Sequence, residues 1–263
     1  MDKIITIISK EWAEVFKNKL VFFSVLFLPL ILAALPLGML FAFSRIEGME
    51  TELNDPEIMK LAGQMCVGLN PMDCSLVYTL NLFVLMFMIL PVAIPVTIAA
   101  YSIVGEKMTR SLEPLLATPI TTVELLTAKI IAAVVPAIAA TWVAFGIFFI
   151  GAWLLTPPAV FAAFFKPHWL LAIFVVAPLL TILATCIAVI VSSRVTDPRV
   201  AEQLSALVIL PLILLVVGQS MGLILIDEQL MFLLGGIVLA LDVILLYLAI
   251  RLFQRETILT RWK

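Results

Sequence analysis

The residues that could do chemistry in this chain are few, and most of them fall in one stretch. Gly105–Lys129 reads GEKMTRSLEPLLATPITTVELLTAK and carries Glu106, Lys107, Arg110, Glu113, Glu124 and Lys129 between two long apolar runs. Elsewhere there is one histidine, His168, flanked by Pro167 and Trp169, and one acid deep in an apolar run, Asp242. No His-Glu-x-x-His pair suits zinc, and no two aspartates share an apolar run. No Gly-x-x-x-x-Gly-Lys-Ser/Thr loop is present to cradle a phosphate, so this chain cannot hydrolyse ATP by that route alone. No catalytic, metal-binding or cofactor-binding set emerges. A lone His-Trp pair at the end of an apolar run reads as an interfacial anchor rather than a catalyst. Asp242 has two readings. An ionisable group at membrane depth is a transport-site candidate by default; a neutral or internally bonded acid that fixes helix packing is the other.

The elements that must position these residues are membrane helices. The 263 residues are 63% hydrophobic and 13% charged. A soluble domain is about 45–50% apolar and roughly 25% charged. Charge-poor runs longer than about 18 residues read as spans. Six are expected, at 20–44, 77–104, 130–155, 168–191, 203–226 and 229–250, within one transmembrane domain covering 1–263. The fold class is all-α, with an amphipathic helix over 1–19 ahead of the first span. In that helix Ile4, Ile8, Trp12, Val15 and Phe16 recur at helical spacing, with Lys3, Lys10, Glu14 and Lys17 largely elsewhere. It reads as lying in the membrane interface; a plain extension of span one is the alternative. Prolines inside five of the spans imply kinks. Gly218, Gln219, Ser220 and Gly222, followed by Asp227 and Glu228, suggest that span five breaks and leaves a short re-entrant helical piece.

The basic residues set the orientation. Lys3, Lys10, Lys17, Lys19, Lys107, Arg110, Lys129, Arg194, Arg199, Arg251, Arg255, Arg261 and Lys263 fall on one side, against Arg45, Lys60 and Lys166 on the other. Both termini are expected to be cytoplasmic, in a multi-pass protein of the cell membrane. No cleavable signal peptide is expected, since the first apolar run is too long for one. The net charge of −2 gives no reason to expect nucleic acid. Cys66 and Cys74 fall in the first outer loop, where a disulfide is permitted; two free thiols are the other reading. Cys186 reads as a small apolar packer in span four.

The polar island has its own punctuation. Thr121 and Glu124 form a Thr-x-x-Glu capping box, and Ile120 and Leu125 are spaced for a hydrophobic staple. A helix therefore starts at Thr122 and runs through Lys129 into span three. Upstream, Ser111 can cap a short helix over Leu112–Ala117 with Pro114 in its first turn. Thr118–Pro119 ends it, because the residue before proline avoids helical geometry. The result is a knuckle presenting Leu112, Leu115 and Leu116 to the cytoplasm; an ordinary helical hairpin loop packed on its own bundle is the alternative.

Glu106-Lys107, Ser111-Leu112-Glu113, Leu115-Leu116, Thr118-Pro119-Ile120 and Glu124-Leu125-Leu126 through Lys129 resemble the signature loop of type 2 ABC transporter permeases. Six spans, an interfacial N-terminal helix, cytoplasmic ends and a larger first outer loop are similar too. Arg110 departs from the glycine often found at that place. The resemblance implies the membrane subunit of an ATP-driven exporter, paired with a second permease chain as a homodimer or heterodimer. It also implies a cytoplasmic ATPase subunit, which would hold the ATP and magnesium; this chain would bind no cofactor itself. Ser111, Leu112, Glu113, Pro114, Leu115, Leu116 and Thr118 would form the coupling helix against that ATPase. Glu106, Lys107 and Arg110 would form a gate region at the inner end of span two. Polar residues within the spans are sparse, which tilts the expected cargo towards an amphiphilic or lipid-like molecule or a drug.

Overall fold

The computed structural model describes residues 2–43, 70–108, 120–221, 223–224 and 227–252, and these contain helices and turns but no strand. The first helix, α1, spans Asp2–Lys17, and α2 spans Lys19–Phe43. Asn18 makes the bend between them. Its amide donates to the Val15 carbonyl and its carbonyl accepts from Phe22, so the chain turns without leaving either group bare. Six helical stretches are long and apolar enough to cross a membrane: Val21–Ala42, Leu76–Glu106, Thr122–Leu155, Pro167–Arg194, Pro198–Ser220 and Glu228–Leu252.

Proline chemistry explains where the spans are irregular. Span two consists of α3 (Pro71–Phe87) and α4 (Leu90–Met108), broken at Met88 and Ile89. Pro91 has no N–H, and its ring crowds the carbonyl four residues back, which belongs to Phe87. The ladder tightens there to three-residue steps, Met88 to Leu85 and Ile89 to Met86. Span five shows the same response. A 3₁₀ turn at Leu207–Ile209 separates α9 (Pro198–Ala206) from α10 (Leu210–Ser220) ahead of Pro211. Span four widens instead, with a π turn at Ala172–Val176 ahead of Pro178, between α7 (Pro167–Leu171) and α8 (Ala177–Arg194). Pro29, Pro36 and Pro136 lie within unbroken helices.

Span three is α5 (Thr122–Leu155), 34 residues long. At 1.5 Å per residue it measures about 51 Å, against a hydrocarbon core of about 30 Å. It is therefore longer than one crossing needs, and α1 packs on its first turns. Two short helices follow, α6 (Pro158–Phe164), which the sequence pattern concealed inside an apolar run, and α7, which opens span four. Span six is α11 (Glu228–Leu252). The re-entrant piece expected after span five is not helical at its described residues. α10 stops at Ser220, the Leu223 and Ile224 amides turn back to the Gly218 carbonyl, and α11 starts at Glu228.

Spans two and four form the interior, while spans one, five and six turn mostly outward. Alanines make the close contact possible. Ala99 of α4 and Ala177, Ala184 and Ala188 of α8 are buried in one shared cluster, and Ala100 of α4 packs in another with Ala201 of span five. Without a hydrophobic drive between helices in lipid, small residues let backbones approach and gain dispersion contacts. At one end an aromatic cluster fills the space beneath α6 and α7. Trp169 meets Phe164 edge-on at 4.3 Å and Phe87 meets Phe148 at 5.1 Å between ring centroids.

Candidate functional site

The strongest concentration of polar interactions joins α1, α4 and α5 at the root of the loop after span two. The Lys129 ammonium lies 2.8 Å from Glu11 Oε1 and 2.9 Å from Glu106 Oε2, and it donates to Ser102 Oγ at 2.9 Å. The Ser102 hydroxyl donates to the second Glu11 oxygen at 2.5 Å. Lys10 reaches Glu106 Oε1 at 3.0 Å and Glu14 at 3.6 Å. Glu11, Glu106 and Lys129 are each no more than 4% exposed. Two acids face two bases, so the buried cluster is neutral as a unit. That matters because a charge removed from water without a partner costs several kcal/mol.

The local sequence explains how three helices deliver these groups. On α1 the buried stripe is Ile7, Glu11 and Val15, four residues apart, with Trp12 beside it. Phe16, read from sequence as part of the apolar stripe, is instead 41% exposed. The helix is rotated so that Glu11 faces inward, because Lys129 offers one of its carboxylate oxygens a charged partner and Ser102 offers the other a hydrogen bond. Trp12 Nε1 donates to the Ala132 carbonyl at 3.0 Å and fixes the same rotation. Ile7 packs on Leu125 and Ala128, with Ile4, Ile8 and Ile120 around them. Burial works against the Lys10 ammonium. The hydrogen bond and charge of Glu106 outweigh it, aided by Glu14 and Glu11, and hold the Lys10 pKa above its usual 10.5.

The start of α5 shows the capping geometry its residues call for. The Glu124 amide donates to Thr121 Oγ1 at 3.2 Å, and the Thr121 amide donates to Glu124 Oε2 at 2.8 Å. Ile120 and Leu125 share one apolar cluster, which closes the staple. From this cap, Lys129 sits about 12 Å along the helix at 1.5 Å per residue. On the other side of the loop, Glu106 is two residues before the last described residue of α4, Met108. Both feet of the loop are thus tied to α1 by one cluster.

Of the expected site residues, Glu106 belongs to this cluster. Arg110 and the coupling residues Ser111, Leu112, Glu113, Pro114, Leu115, Leu116 and Thr118 lie outside the described residues, as do the Lys107 side chain and Cys66. Cys74 stands in the first turn of α3 and is disulfide-bonded. Cys186 is a buried free thiol. Asp242 is 3% exposed, and neither of its oxygens has a hydrogen-bond partner among the described residues. His168 differs from its expected place as an interfacial anchor: it and Trp169 are buried, because α6 folds over them.

Sequence reasoning missed Glu11 and Ser102. The signal was present for Glu11, an acid midway between Ile7 and Val15 on one helical stripe. Several of the sparse polar residues within the spans are occupied within their own helices. The Thr141, Thr181 and Thr185 hydroxyls donate to the carbonyls of Ala137, Ala177 and Thr181, four residues back.

A protein whose longest helices are apolar, and whose best-organised polar site clamps a loop root rather than enclosing a reactive centre, fits transport better than catalysis. No curated protein matches the chain. The family model described as ABC-2 family transporter protein matches residues 5–233, most of the length. The chain therefore belongs to the ABC-2 transporter family, as a multi-pass permease.

Proposed function

We propose that the chain is the membrane subunit of an ATP-driven exporter in the cell membrane, with both termini cytoplasmic. It pairs with a second permease chain and receives a separate ATPase on residues 111–118. The observation that carries this reading is the buried cluster of Glu11, Ser102, Glu106 and Lys129. A loop that transmits force needs a stiff root. Here the helix entering the loop, the helix leaving it and α1 are joined by paired charges, so that a push on the loop moves spans two and three together. The thirteen bases gathered on the loop side support the orientation. The N-terminal helix braces the root and lies along the membrane surface.

The test is co-expression of the full chain with its ABC ATPase, followed by measurement of association, ATP hydrolysis and transport in proteoliposomes. Replacing Glu113→Lys together with Leu116→Asp is expected to leave the permease folded while uncoupling hydrolysis from transport. Unchanged coupling in that double variant, or no association of the parent chain with the ATPase, overturns the proposal. Asp242 supports a second reading, secondary transport, because it is buried without a partner. Loss of transport in Asp242→Asn, with ATPase association and hydrolysis intact, would favour that reading.

A further inference from the structure

A second polar cluster lies at the end of the bundle opposite the charge clamp, where spans two, four and five meet. His168 Nε2 lies 3.3 Å from Asn81 Oδ1. The Asn81 amide donates to the Val77 carbonyl at 2.9 Å, within its own helix. That hydrogen-bond pattern makes Oδ1 the acceptor, so His168 is the donor in their contact. Two bonds then cross from α3 to α10. Tyr78 donates its hydroxyl to the Gln219 carbonyl at 3.1 Å, and Gln219 Nε2 donates to the Asn81 carbonyl at 3.5 Å.

The two sides of this seam are held unequally. On the α3 side, Asn81 is bonded to α7 through His168, and the neighbouring Trp169 is locked into the aromatic cluster. On the other side, α10 is the last stretch of the least buried span. Its last turn is closed by the Leu223 and Ile224 amides folding back on Gly218. At Gly218 a Cβ would come within 2.9 Å of the tip of the Ile224 side chain, which would have to shift to admit it.

The bonds across the seam are also close to balanced by a cost. Gln219 is 3% exposed, and its Oε1 is buried with no hydrogen-bond partner among the described residues. Turning the amide over would set that oxygen against the Asn81 carbonyl, so the orientation is forced. An unmet buried acceptor costs about as much as one or two ordinary hydrogen bonds contribute. The contact is therefore weak for its burial, and opening it lets Gln219 Oε1 find water.

We propose that Gln219, with Tyr78 and Asn81, is the outer gate of the permease: a latch between α10 and α3 that releases to let cargo leave at the end of the bundle away from the termini. This rests on the exporter reading above for its direction, but the latch itself does not depend on it.

The test uses the full chain in cells and in inside-out membrane vesicles, with a membrane-impermeant maleimide as probe. Leu85→Cys serves as reporter, since Leu85 is 2% exposed and stands one helical turn beyond Asn81. The native buried Cys186 is the internal control. Tyr78→Phe removes one latch bond and is expected to raise reporter labelling in cells about fivefold, the weight of one hydrogen bond. Gln219→Met keeps the volume and removes both the donor and the unmet acceptor, so the lost bond and the relieved cost offset and labelling is expected to stay near the parent level. Cys186 should stay unlabelled in both. Faster labelling only in inside-out vesicles would uphold the latch and overturn the orientation. Unchanged reporter labelling in Tyr78→Phe would overturn the latch, as would equal labelling of Cys186, which would mean general loosening.

Discussion

Replacing Lys129→Met should release α1 from the bundle. Lys129 is the base that faces both buried acids, at 2.8 Å and 2.9 Å. Methionine keeps the apolar stem but removes the charge. Glu106 retains Lys10 at 3.0 Å, so the carboxylate left bare is Glu11, 2% exposed with only the Ser102 hydroxyl beside it. Removing one partner of a buried ion pair costs about 3–5 kcal/mol, because the remaining charge stays out of water. The retained Lys10 contact argues for the lower end, about 3 kcal/mol, or roughly a hundredfold in an opening equilibrium. Glu11 can escape by undocking α1, so the effect should appear as faster hydrogen exchange across the α1 amides. The core amides of α8 should exchange at the parent rate. A variant with a charge-free buried core, Glu11→Gln with Glu106→Gln and Lys129→Met, should recover most of the lost protection, since the remaining charge, Lys10, is half-exposed and keeps Glu14. Parent-like α1 exchange in Lys129→Met would refute the reasoning. So would a triple variant that exchanges faster than the single one.

Two further outcomes follow from other parts of the structure. At Gly151 a Cβ would lie 2.4 Å from a Leu37 methyl, so Gly151→Ala must displace that side chain where spans one and three touch. A thermal melt should show a loss of about 1–3 kcal/mol, the usual range for overpacking, and Leu37→Ala should rescue it; equal losses in the single and double variants would place the strain elsewhere. The raised Lys10 pKa gives a stabilising contribution that is complete below the unfolded value of 10.5 and lost as pH rises through the higher folded value. The melting difference between the parent and Lys10→Gln should accordingly be flat through neutral pH and shrink above about 10.5, and a difference that already shrinks near pH 8 would contradict it.

Much of the architecture was legible from residue types alone. Membrane helices announce themselves because lipid offers no partner to a bare backbone, so length and apolarity suffice to find them. The start of α5 was equally legible, since Thr121, Glu124, Ile120 and Leu125 lie within six residues and act only on each other. Span boundaries were less so. Helix and apolar run do not coincide: α5 starts at Thr122, as its cap requires, while the apolar run starts at 130, because a helix does not stop where the apolar layer does. α6 stayed hidden, because apolar composition does not distinguish a crossing from a helix folded over the end of a bundle.

The sequence by itself determined six spans, an amphipathic first helix, a capped start to span three and the absence of a phosphate loop. Each follows from residues close together in the chain or from bulk solubility. Only the tertiary structure decided which face of α1 turns inward, and that Glu11 meets a lysine 118 residues away. It also decided that His168 is buried against Asn81 rather than set at a surface. Those outcomes depend on which charges and amides meet at a distance in the chain. Burial makes each unmet group costly, so helices rotate until partners are found.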